Sequence, residues 1–87
     1  MKLYLIHCGF YDLELSAGIY EFHINIPVAA MDLEQAKMSV RRDPSFIQKK
    51  MHIDGIQELK ALSGFRIELV PDARTCEQIE SHLHRDL

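Results

Sequence analysis

Residues Ile19–Val28 read IYEFHINIPV. Tyr20, Phe22, Ile24, Ile26 and Val28 alternate with Glu21, His23 and Asn25. An extended chain with this period of two sends its apolar side chains one way and its polar ones the other. The segment therefore predicts a strand with one buried and one polar face. Pro27 has no N–H to give to a neighbouring strand, so it belongs near the strand's end or on a sheet edge. The fold then depends on what covers the apolar face.

Upstream, the run KLYLIHCGF over residues 2–10 has Leu3 and Leu5 on one side and Tyr4, Ile6 and Cys8 on the other. Apolar residues on both faces predict a central strand, covered twice or with its second face on a partner. Gly9 is expected to end it, and residues 11–18 to form a polar connection. Downstream, Asp32 and Gln35 make a capping box ahead of Leu33, Ala36 and Val40 at helical spacing. Asp43-Pro44 stops that helix, because the residue before proline is pushed out of the helical region. Residues 45–50 are expected to be a loop anchored by Phe46 and Ile47.

Residues 51–70, MHIDGIQELKALSGFRIELV, predict a hairpin bending at Ser63-Gly64. Phe65, Ile67 and Leu69 alternate in its second arm. Ile56, Leu59 and Leu62 fall three apart in the first, which leaves a short helical turn open there. Thr75 with Gln78 forms a second capping box, and Cys76, Ile79, Leu83 and Leu87 make the stripe of a C-terminal helix. The sum is an α+β two-layer sandwich: a mostly antiparallel sheet of about four strands, with two helices on one face.

The 87 residues suffice for a single domain, spanning 1–87. A chain of this size buries little more than ~60% of its unfolded surface, so self-association has stability to add. A composition 47% hydrophobic and 26% charged is that of a globular protein. The net charge of -3 disfavours nucleic acid, which selects for basic surfaces. Arg41-Arg42 and Lys49-Lys50 are isolated basic pairs, while Tyr20 and Phe22 belong to the expected core rather than to a base-stacking platform. Cys8 and Cys76 stand too far apart for a paired-cysteine zinc motif and read as small core residues. No leader peptide or apolar run of about 20 residues is visible, which reads as a soluble cytoplasmic protein with no membrane contact.

Chemistry concentrates in four residues. Glu21 and His23 are two apart on one predicted strand, and His52 and Asp54 are two apart on another, so each pair shares a face. Two imidazoles and two carboxylates suit a divalent transition metal, or proton transfer near neutral pH. The ordinary alternative is a solvated sheet face with cross-strand hydrogen bonds, and a third reading is a polar contact with a partner. His7 lies on the Leu3 and Leu5 face, which makes it a candidate to join the cluster, but the favoured expectation is a core histidine bonded to backbone. His82 and His84 cannot share a helix face as ligands four apart would. Ser16 and Ser63 sit in turn contexts. The four glycines, at 9, 18, 55 and 64, are too scattered to cradle a phosphate. No organic cofactor is expected.

Several of these segments resemble a bacterial family known as domain of unknown function 1543. The similar parts are MKLYLI ending at Gly9, YEFHINIPVAAMDLEQAK, and HIDGIQEL followed by GFRIEL, covering most of the chain to Val70. The family's Glu-apolar-His triplet corresponds to Glu21, Phe22 and His23, and its His-Ile-Asp to His52, Ile53 and Asp54. Ile24 stands where the family pattern has aspartate, and the tryptophan often found before the second motif is missing. The resemblance implies a shared fold unit and carries no activity with it. The first functional expectation is a non-enzymatic module that self-associates, as a homodimer, through the free sheet face or the C-terminal helix. The second is a metal-dependent or acid–base site on Glu21, His23, His52 and Asp54. RNA binding is a distant third, and no protein partner is named by the sequence.

Overall fold

Backbone hydrogen bonding runs along both sides of β1 (Lys2–Tyr11), which lies between β2 (Glu21–Ala30) and β3 (His52–Leu59) in an antiparallel three-stranded sheet of order β2-β1-β3. The structure, a computed structural model, describes every residue except Glu77, with the side chains of all the others but Ser16 and Asp86. β1 is thus the central strand of the sheet, but only its Tyr4, Ile6, Cys8 and Phe10 face is buried, while Leu3 and Leu5 on the other face are half-buried. Gly9 does not end it: the strand continues through Phe10 and Tyr11, and Gly9 faces His23 on one side and His52 on the other. β2 is an edge strand, where the missing N–H of Pro27 is tolerated.

The even-numbered side chains of β1 form the core. Tyr4, Ile6, Cys8 and Phe10 are buried, joined by Ala30, Ala36, Val40 and Met51, with Phe22, Ile26, Val28, Phe46, Ile53 and Ile56 packed around them. Phe22 thus turns toward the core while His23 is exposed on the opposite face. Tyr20, expected inside beside Phe22, precedes β2 and is exposed. α2 (Leu33–Val40) lays Ala36 and Val40 on this apolar layer. Its cap forms as expected at Asp32, whose Oδ1 accepts from Gln35 N at 2.8 Å, while Gln35 Oε1 accepts from Met31 N at 2.6 Å.

The residues expected to loop after Asp43-Pro44 instead make α3 (Pro44–Gln48). Asp43 caps it, accepting from Ser45 N at 2.9 Å and Phe46 N at 3.3 Å, and Pro44 occupies its first turn, where no N–H is needed. Only Phe46 anchors it, because Ile47 is exposed. A further short helix, α1 (Leu13–Ser16), interrupts the connection after β1. Its cap, Asp12, also accepts from Lys49 Nζ at 2.9 Å. That hydrogen bond, followed by the one from the Glu14 amide, holds the Asp12 carboxyl below the usual carboxylate range.

β3 is a strand and not a helical turn: of the three residues whose spacing left this open, Ile56 pairs with Ile6, Leu59 pairs with Leu3 on the opposite face, and Leu62 lies beyond β3. The register against β1 slips between His7 and Cys8, so Ile53 faces Cys8 and Gly55 faces His7, with Asp54 as the extra residue of a β-bulge. The bulge lets both Ile53 and Ile56 turn inward. The expected fourth strand of the sheet does not join it. β4 (Ala61–Leu62) and β5 (Phe65–Arg66) pair only with each other, around Ser63 and Gly64, both with positive φ as a tight hairpin turn requires. Ile67 and Leu69 lie beyond β5, in no strand.

The C-terminal helix is also corrected. Among the described residues beyond Asp72, regular structure is limited to a 3₁₀ turn at His84–Asp86. Ile79 is 74% exposed and Leu87 90%, and Cys76, expected in the core, is exposed. The two helices on the covered face are therefore α2 and the short α3. No helix among the described residues is long and apolar enough to cross a membrane.

Ile6 is fully enclosed at the centre of the covered face. Ile6→Ala is expected to lower the unfolding free energy by about 3 kcal/mol, and Ile6→Val by about 1 kcal/mol, in urea denaturation. The exposed Leu13→Ala is the control, and its effect should stay within about 0.5 kcal/mol.

Candidate functional site

The face of the sheet that carries His7 of β1 is open to solvent at each of its polar side chains among the described residues. Alternation along β2 points Glu21, His23 and Asn25 to this side, and β3 contributes His52 and Asp54. The two strands are not neighbours, because β1 separates them. Their side chains nevertheless meet. His52 Nε2 lies 2.7 Å from Glu21 Oε1 and 3.1 Å from Asp54 Oδ1. His23 Nε2 lies 3.2 Å from Asp54 Oδ2 and 3.5 Å from Glu21 Oε1. Each imidazole nitrogen is thus bracketed by one carboxylate from each flanking strand.

The meeting is possible because the residue beneath it is glycine. A Cβ on Gly9 would come within 2.6 Å of Asp54 Oδ2 and of His52 Nε2, and would also collide with Glu21 Oε1. Any other residue at this point of β1 would stand where the four groups converge. Gly9 is the residue of this cluster whose part the sequence reading missed. Its signal was a glycine inside an apolar run that resumes with Phe10 and Tyr11, since a glycine within a strand often marks the close approach of other groups.

His7 is likewise corrected. It is exposed rather than buried, and its Nδ1 lies 2.9 Å from Asn25 Oδ1, the residue directly opposite on β2. Its ring stacks on that of His23 with centroids 4.9 Å apart and planes 6° from parallel. Cys8 takes no part. It projects into the core, where burial first, and then the charges of Asp54 and Asp43, push its thiol up, away from the reactive thiolate. His82 pairs loosely with Glu80 at 3.9 Å on the surface, and His84 lies in the 3₁₀ turn.

Electrostatically, the site is two carboxylates whose ion-pair partners among the described residues are histidines, with no lysine or arginine. All four side chains are exposed, so water screens these pairs and leaves the carboxylate oxygens accessible from solvent. The donors are imidazole nitrogen, which suits zinc and nickel, and carboxylate oxygen, which suits the harder manganese ion, a mixture compatible with a divalent transition metal. Two grooves in the surface lie elsewhere, one between β2 and α2 beside Val28 and Val40, the other around Tyr11 and Lys49. They are lined by none of the four converging residues. Comparison with protein-family models, with curated proteins and with solved structures finds no match.

Gly9→Ala tests the geometry directly. The atoms it displaces are the free ends of side chains, so the backbone can stay in place while the cluster splays. Stability is expected to be unchanged or to rise by up to about 1 kcal/mol, as alanine replaces glycine within a strand. The imidazole ¹⁵N resonances of His23 and His52 should shift as their carboxylate contacts are lost. A loss of several kcal/mol would instead mean that Gly9 serves the backbone.

Proposed function

We propose that this domain binds a divalent transition-metal ion on its open sheet face, through Glu21, His23, His52 and Asp54. The observation that carries this reading is the convergence of two imidazole nitrogens and two carboxylates over a glycine, all four side chains being exposed. Side chains that merely solvate a sheet do not need a gap in the central strand beneath them. The resemblance to domain of unknown function 1543 adds that the two motifs supplying these donors are the family-like ones, and we propose kinship on that basis. Acid–base chemistry draws on the same imidazoles and is the enzymatic form of this reading.

Metal analysis of protein purified without a histidine tag, followed by calorimetric titration with zinc, manganese and nickel, is expected to give saturable uptake. Acid should release the metal, because protons compete for the ligand lone pairs. The His23→Ala, His52→Ala double variant should lose at least tenfold in affinity while remaining folded. Uptake that is absent, or unchanged in that variant, overturns the reading.

A second reading is self-association as a homodimer, favoured by the exposed Ile79, Leu83 and Leu87 and by the half-buried Leu3 and Leu5 of the open face. A small chain gains stability by covering such surface. Light scattering coupled to size exclusion is expected to give a mass above the 10.1 kDa of one chain. A monomer at every concentration removes this reading and leaves metal binding untouched.

A further inference from the structure

The donors over Gly9 sort into two triads that share one residue. His7, His23 and Asp54 each offer a ligand atom within 4.8 Å of the others, and so do Glu21, His52 and Asp54. The Asp54 carboxylate is divided between them, with Oδ2 3.2 Å from His23 Nε2 and Oδ1 3.1 Å from His52 Nε2. A carboxylate offering one oxygen to each of two adjacent cation positions is a bridging ligand. Building on the metal-binding reading, we infer that this face holds two divalent metal ions side by side, bridged by Asp54. His7 and His23 complete one position, and Glu21 and His52 complete the other.

The surroundings of His7 support its place in the set independently of the four-residue cluster. A carboxamide oxygen can only accept a hydrogen bond, so the tautomer that bonds Asn25 Oδ1 through Nδ1–H is the one whose Nε2 is available as a ligand. An imidazole whose other nitrogen donates to a fixed acceptor is the usual arrangement of a metal-ligating histidine. The near-parallel stacking on His23 keeps the two rings side by side on the same face. The β-bulge serves the same end. It frees Asp54 from direct pairing with β1, and opposite His7 it sets Gly55, which carries no side chain.

Three protein donors per ion leave coordination positions open toward solvent. Paired ions of this kind stand about 3.5–4 Å apart in hydrolytic enzymes, where they hold an oxyanion or share a nucleophilic water between them. The chemical class that fits here is therefore an oxyanion ligand, phosphate being the simplest, seated across both metals.

The test is metal stoichiometry on the full chain, with zinc and with manganese as the only added ligands. Two equivalents are expected. His7→Ala should bind one, and Asn25→Ala should weaken one of the two by about 10–100-fold, since it removes the group that orients a ligand. Electron paramagnetic resonance of the manganese form should show spin coupling between the ions, and inorganic phosphate should perturb that signal. A single equivalent, indifferent to His7→Ala and giving an uncoupled spectrum, overturns the paired site and leaves the single-metal reading standing. No uptake by the wild-type chain overturns both.

Discussion

The space above Gly9 is the constraint on which the open face depends. Adjacent strands lie about 4.8 Å apart, so β2 and β3 are separated by nearly 10 Å across β1. Side chains from the two outer strands can meet only by leaning over the middle one. That requires two things of β1: a register bringing one position level with both His23 and His52, and no side chain at that position. Both are satisfied at Gly9. An interior strand glycine forgoes packing and adds backbone entropy to the unfolded state, so the gap runs against β-propensity.

The covered face imposes the opposite demand, and β3 has to meet both. Its apolar residues Ile53 and Ile56 are an odd number of positions apart, so a regular strand would send one of them into water. The bulge at Asp54 restores the phase. The same irregularity relieves Asp54 of a direct partner and aims its carboxylate between the two histidines. Core packing and the polar cluster are thus linked through one extra residue. Bulges are enriched beside functional sites for this reason, because they re-aim a side chain without breaking the sheet.

Charge gives the open face its chemical character. A buried carboxylate needs a full partner, whereas an exposed one is solvated and gains little from any single contact. Glu21 and Asp54 are exposed, so their contacts with His23 and His52 contribute little to holding the sheet together. The fold is held by the Tyr4, Ile6, Cys8 and Phe10 layer beneath α2 and α3. Separation of these two duties allows the polar groups to change protonation or ligation while the core stays as it is. The Lys49 ammonium, bonded to Asp12 and 5.3 Å from the Phe10 ring centroid, ties α1 and the end of α3 to the same layer.

What local pattern encodes was legible in the chain. The alternation in IYEFHINIPV told inward from outward side chains, the two-sided apolar run marked β1 as the central strand, and Asp32 with Gln35 began α2. The grouping of Glu21 with His23 and of His52 with Asp54 also follows from alternation, because residues two apart on a strand share a face wherever the strand lies. Other features were decided by groups distant in sequence. The stripe of Ile79, Leu83 and Leu87 has helical spacing, but a short helix depends on a surface to pack against, and the core is already closed by α2 and α3. Phe65, Ile67 and Leu69 alternate like a strand, yet the sheet ends at β3. The convergence over Gly9 belongs wholly to tertiary structure: it depends on two registers and an empty position, and pairing between strands is set by contacts that no local window of sequence contains.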